Sequence, residues 1–104
     1  MTSTDKLIED VIKWAHDKGI LRASNATLQM SKTLEECAEV LRELHAPEPD
    51  DSALDSEYGD VLVTLIIGME LAGVDPNAAL YTAYNKISKR KGSIVDGVFV
   101  KEAG

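Results

Sequence analysis

Cys37 is the single cysteine among 104 residues. One thiol excludes an intrachain disulfide and suits a reducing compartment, and Cys37 is read as a helix packing position rather than a nucleophile. Long apolar runs are missing too. The longest, Val61 to Ile67, has Thr64 inside it and falls far short of the ~18 to 20 residues that cross a bilayer. The opening Met1-Thr2-Ser3-Thr4-Asp5 has neither the basic start nor the apolar middle of a secretory signal, so a cytoplasmic location is expected. Positive charge is scarce: Lys and Arg number 11 against 18 Asp and Glu, for a formal charge of −7. That balance argues against a nucleic-acid backbone as partner and makes any anion site a local exception. No internal repeat, low-complexity tract or second domain stands out. Residues 1–104 are expected to form one domain, with 93–104 as a hairpin or tail.

What the chain has is helical periodicity. Leu7, Ile8, Val11, Ile12 and Ala15 make one apolar stripe over Asp5 to Lys18, and Gly19 ends it. Trp14 lies about 60° off that stripe, at the edge of the core. Ile20 to Asn25 reads as a loop, with Ser24-Asn25 as the cap of a second helix reaching His45. Its expected core face is Leu34, Cys37, Ala38, Leu41 and Leu44, with Glu36, Glu39 and Glu43 on the opposite, solvated side. His45 to Asp51, with Pro47 and Pro49, is a connection. A third helix from Asp51 or Ser52 to Gly73 is apolar all round from Val61 on, as expected of a helix enclosed by protein. Asp75-Pro76 starts a fourth helix, expected to reach Lys91 with Leu80, Ala83, Tyr84 and Ile87 inward. Asp96-Gly97 between apolar pairs predicts a tight turn with extended flanks. The fold class is all-α: a bundle of about four helices with a short extended C-terminal tail.

The chemistry concentrates between Leu34 and Asp60. Glu36 with Glu39, and Glu57 with Asp60, are carboxylate pairs three residues apart, each on one helix face. Taken alone, Glu36 and Glu39 read as an ordinary acidic surface. Glu57 and Asp60 share a stripe with Thr64 and Gly68, so they lie on a line that becomes interior one turn later. Interior carboxylates need a partner, and Mg²⁺ prefers oxygen ligands of this kind. The helix dipole is a weak alternative for Asp60, because its reach is confined to the first turn. Asn85, Lys86, Lys89, Arg90 and Lys91 crowd the end of the fourth helix, partly complementing its carboxyl end and partly offering a phosphate clamp.

Glu35-Glu36-x-x-Glu39, seventeen further residues, then Glu57-x-x-Asp60 resembles the MazG-like all-α nucleoside triphosphate pyrophosphohydrolases. Trp14-Ala15-x-x-Lys18-Gly19-Ile20, Gln29 and Lys32 ahead of the acids, and Asn85-Lys86 with Arg90 behind them, are similar to the family's small members. The resemblance implies cleavage of a nucleoside triphosphate between the α and β phosphorus atoms, giving monophosphate and pyrophosphate. It implies Mg²⁺, with Mn²⁺ as substitute, on Glu36, Glu39, Glu57 and Asp60, and Glu35 as general base or second-metal ligand. Lys32, Asn85, Lys86, Lys89 and Arg90 would contact phosphate, and Trp14, Gln29 and Tyr84 the base. The family completes its core by forming homodimers or homotetramers, which suits an all-apolar third helix in so short a chain. Alternatives remain open: a phosphoribosyl-ATP or dUTP/dCTP-type pyrophosphatase of the same superfamily, or a non-catalytic helical dimer with a regulatory metal site.

Overall fold

In this computed structural model, residues 2–102 are described. They form five α-helices and one two-stranded sheet: α1 Thr4–Asp17, α2 Ile20–Ala23, α3 Ala26–Leu44, α4 Asp51–Ala72, α5 Pro76–Ile87, β1 Gly92–Val95 and β2 Val98–Lys101. The fold is all-α apart from the hairpin. The chain divides into two compact units, one up to Val74 and one from Asp75 onward. Among the described residues, no single helix is long and apolar enough to cross a membrane.

The first unit holds α1 to α4. Each long helix begins at an oxygen-bearing cap that takes up a free amide: Ser3 accepts from Lys6, Asn25 from Leu28 and Asp50 from Ser52, which satisfies donors that the helix itself leaves unpaired. Gly19 ends α1 with a left-handed backbone (φ 79°). The expected loop after it is instead the single helical turn α2. Half-buried Ile20 and Leu21 anchor that turn, and Ala23 N–H and Ser24 N–H donate to the Gly19 and Ile20 carbonyls. Helix α4 ends at Gly73 (φ 74°), where Val74 N–H reaches back to the Met69 carbonyl, a standard glycine stop.

Helices α3 and α4 pack together along most of their length, and α1 lies against α4. The α1 stripe holds except at its start: Ala15 is fully buried and Ile8, Val11 and Ile12 are half-buried, but Leu7, in the first turn, is 50% exposed, and Trp14 sits at the margin, 49% exposed. Helix α3 is a correction. Leu34, Cys37, Ala38, Leu41 and Leu44, expected inside, are all exposed; the covered residues are Ala26, Gln29, Thr33, Glu36, Val40 and Glu43. The covered face is turned roughly 100° from the expected one. It is built from small and β-branched side chains and from the aliphatic stems of two glutamates, which let α3 approach α4 closely. Buried hydrophobic residues number three, Ala15, Val40 and Ile67, among the described residues.

The second unit holds α5 and the hairpin. Asp75 caps α5 by accepting from Ala78 N–H, with Pro76 in the first turn. The helix stops at Ile87, four residues before the expected Lys91. Ser88 turns the chain, its N–H on the Tyr84 carbonyl and its hydroxyl on the Asn85 carbonyl. Leu80, Tyr84 and Ile87, expected inward, are exposed, and Ala83 is half-buried. In the hairpin Ile94 pairs with Phe99 and Val95 with Val98. Asp96 and Gly97 both take positive φ (50° and 80°), the mirror-image turn that matches strand twist.

Candidate active site

The two helices that carry the acids are held in a definite antiparallel register. Thr33 Oγ1 lies 2.9 Å from Thr64 Oγ1, and Gln29 Cβ lies 3.5 Å from where a Gly68 Cβ would stand. Four residues back along α3 thus match four residues forward along α4. Carried the other way, the same register sets Glu36 level with Val61 and Val40 level with Glu57. The acids therefore occupy the half of the seam nearest the α3–α4 connection, with Thr33 and Thr64 at its inner edge.

Glu57 is the most constrained of them. Its side chain is half-buried, and its Oε2 is shielded from solvent without a hydrogen-bond partner. Burial pushes its carboxyl above the ordinary range, and the negative charges of Glu43, Glu39 and Asp60 add to the push, while Arg42 opposes it. Its distance from the helix start excludes a dipole explanation: the cap is Asp50, two turns before Glu57, beyond the reach of the terminal partial charge.

The other acids are engaged differently. Glu36, with its side chain 16% exposed, lies 3.4 Å from Lys32 Nζ. Glu35, turned to solvent, shares the same ammonium at 3.3 Å, and the two carboxylates raise the Lys32 pKa, Glu35 the more strongly. Glu39 is bonded to Arg42 at 2.8 Å, and Asp60 is exposed. Glu43, left on the solvated side by the sequence pattern, turns toward α4. Its Oε1 accepts from Asp50 N–H at 2.8 Å while its charge bears on Glu57. The signal for it was present: Glu43 stands seven residues from Glu36, two turns along one face.

The donor set suits a hard divalent cation: carboxylate oxygens alone, one of them buried and unpartnered, with mutual repulsion that a positive ion would relieve. Among the described residues, no three His, Cys, Asp or Glu side chains converge closely enough to chelate an ion; Glu36 and Glu39 are instead turned to Lys32 and Arg42.

The remaining candidates are dispersed. Gln29 is half-buried, its amide donating to Ser24 Oγ at 3.2 Å. Trp14 forms one wall of an open groove of about 350 Å³ with Leu7, Asp10, Val11 and Val63, and Val63 is one turn from Asp60. A larger apolar cavity of about 460 Å³ opens between α3 and α4 on the other side of the threonine pair, with Met30, Leu65, Gly68 and Met69 among its walls. Asn85, Lys86, Lys89, Arg90 and Tyr84 belong to the second unit. Of these, Lys86 lies in the last turn of α5, while Lys89 and Arg90 follow the helix. Tyr84 is 61% exposed.

A family model described as MazG nucleotide pyrophosphohydrolase domain matches residues 23–95. That span contains Glu35, Glu36, Glu39, Glu43, Glu57 and Asp60. No curated protein and no solved structure matches the chain.

Proposed function

The chain belongs to the MazG nucleotide pyrophosphohydrolase domain family, hydrolases that act on nucleoside triphosphates, and on that premise we propose that it cleaves the anhydride between the α and β phosphorus atoms. Water adds its oxygen to the α-phosphorus, the bond to the bridging oxygen breaks, and monophosphate and pyrophosphate leave. The observation that carries this reading is the Glu57 oxygen, shielded from solvent and without a hydrogen-bond partner, on a carboxyl that the charges of Glu43, Glu39 and Asp60 help to push up. Glu36, Glu39, Glu57 and Asp60 would hold Mg²⁺, with Mn²⁺ as a substitute. A bound divalent ion supplies positive charge where the phosphate oxygens become more negative.

The chain's own residues divide the rest of the work. Glu35 takes the proton of the attacking water; it is solvent-exposed and already hydrogen-bonded to Lys32. Lys32 exchanges its carboxylate partners for phosphate oxygens when the triphosphate arrives, which costs little because an exposed ion pair is weak. Trp14 offers an apolar face on which a base can stack, and Gln29 offers an amide. The roles of Asn85, Lys86, Lys89 and Arg90 as phosphate contacts, and of Tyr84 as a base contact, rest on charge, residue type and the family resemblance. The family match runs from the first unit into the second, which supports treating residues 1–104 as one functional domain. Exposed Leu34, Leu41, Leu62 and Tyr58 support a homodimer or homotetramer, since so small a core favours association. A cytoplasmic location suits such a substrate.

The test is pyrophosphate release from a panel of triphosphates with and without Mg²⁺. Release should require the metal and fall by about two orders of magnitude or more in Glu36→Ala, Glu39→Ala and Asp60→Ala at unchanged helix content. Wild-type turnover in all three variants would sink the assignment.

A further inference from the structure

Among the described residues, Thr33 and Thr64 are the buried polar pair, 3% and 8% exposed, and neither is an acid of the site. Thr33 Oγ1 lies 3.0 Å from the Gln29 carbonyl, Thr64 Oγ1 lies 2.9 Å from the Val61 carbonyl, and the two hydroxyls are 2.9 Å apart. Two protons serve three contacts. One hydroxyl donates to its own-helix carbonyl, and the other donates across the seam to the first. Either proton has an acceptor within its own helix, so neither helix needs the crossing bond in order to form. What that bond adds is a relation between the helices.

The neighbouring contacts do not supply that relation. Gln29 Cβ, 3.5 Å from where a Gly68 Cβ would stand, approaches α4 by apolar contact, which is non-directional and tolerates sliding. A hydroxyl pair tolerates little, because its bond weakens steeply with distance and angle, and a single buried polar contact is known to set register between packed helices. Thr33 precedes Glu36 by three residues, about 4.5 Å of rise, and Thr64 follows Asp60 by four, about 6 Å. Any slip of α3 along α4 displaces the backbone positions of their acids relative to one another by the same amount.

We propose that Thr33 and Thr64 are positioning residues whose hydroxyl contact fixes the register of α3 on α4 and so sets the spacing of the acids for a divalent cation. The inference rests on the metal reading above and concerns which residues tune it.

The experiment measures Mn²⁺ binding to the full chain without nucleotide, from the paramagnetic signal of free Mn²⁺, beside thermal unfolding and pyrophosphate release. T33V/T64V removes both hydroxyls and orphans no donor. It should bind Mn²⁺ about tenfold more weakly with a melting temperature near that of the wild type, whereas T33S/T64S, which keeps both hydroxyls, should bind like the wild type. If the double valine variant fails to fold, Thr33→Val alone serves, because Thr64 keeps its Val61 acceptor; it should show the same weakening. Three results overturn the inference while leaving the enzyme reading intact: unchanged Mn²⁺ affinity in a folded valine variant, equal weakening by serine and valine, or a KM effect on the triphosphate alone. A wild-type chain that neither binds Mn²⁺ nor releases pyrophosphate overturns the metal reading and this inference with it.

Discussion

Glu57 on α4 is pushed up by the charge of Glu43 on α3 more than by that of Asp60 on its own helix. For Glu57 the strongest charged neighbour therefore belongs to the opposite helix of the pair, whereas Glu36 and Glu39 are paired within α3, with Lys32 and Arg42. Burial is the largest cause of the shift, and the cross-seam charges compound it.

That shift has a definite sign in stability. Folding raises the Glu57 pKa above its ordinary 4.5, so the native chain keeps a proton in a pH window where the unfolded chain has lost it. Its contribution is fully present below the unfolded value and is lost as pH rises through the raised one. At neutral pH Glu57→Gln should therefore raise the melting temperature of the metal-free protein, and the gain should shrink toward the acid end of the window. Saturating Mg²⁺ should raise the melting temperature of the wild type but not of the variant, because the ion binds the native state. Melts across pH with and without Mg²⁺ check both; a variant less stable than wild type at neutral pH contradicts the account.

Lys32 bridges Glu35 and Glu36 at 3.3 and 3.4 Å. Lys32→Met keeps the stem and removes the charge. It should raise KM for the triphosphate about tenfold, the scale of one charge-assisted contact, with a smaller change in kcat. Steady-state kinetics decide; an unchanged KM removes Lys32 from the phosphate contacts.

Leu34 and Leu41 are 62% and 56% exposed on the outer face of α3, one above the other after two turns. Two carboxylates there would face water harmlessly in a lone chain and would be buried in an assembly, at a cost of several kcal/mol. Leu34→Glu/Leu41→Glu is expected to shift the protein from oligomer to monomer in sedimentation equilibrium. A wild type that is already monomeric at micromolar concentration refutes the association.

Gly92 opens β1 beneath the Phe99 ring; a Cβ there would meet the Val100 carbonyl oxygen and lie 2.7 Å from Phe99 Cζ. Gly92→Ala should open the hairpin while leaving the helices formed, visible as faster amide exchange at Ser93 and Val100, the hydrogen-bonded pair next to it, with unchanged helical circular dichroism. Asp96→Asn should be neutral, since Asn-Gly suits the same turn. Protected amides in Gly92→Ala would contradict this.

Local signals in the sequence translated well. Asn25 and Asp75 cap α3 and α5 as their side-chain oxygens predict, and Asp96-Gly97 turns the hairpin. The apolar stripe of α1 buries Ala15 as periodicity requires, and the line from Glu57 to Thr64 does become interior. The face of α3 was not legible. Periodicity selects the widest apolar stripe, Leu34 to Leu44, yet the face that meets α4 uses Thr33, Val40 and the stems of Glu36 and Glu43. A pattern within one helix does not say which of its faces meets which neighbour. Helix α2 is too short for any period to register, and the cations after Ile87 imitate a helix end that Ser88 has already closed.

Glu43 has two duties: one oxygen receives the Asp50 amide at the close of the connector, and its charge weighs on Glu57. The proline-containing link between the helices is therefore tied, through Glu43, to the acidity of the half-buried Glu57. Shortening, lengthening or nicking it would disturb the Glu43 contact and with it the charge that Glu57 feels.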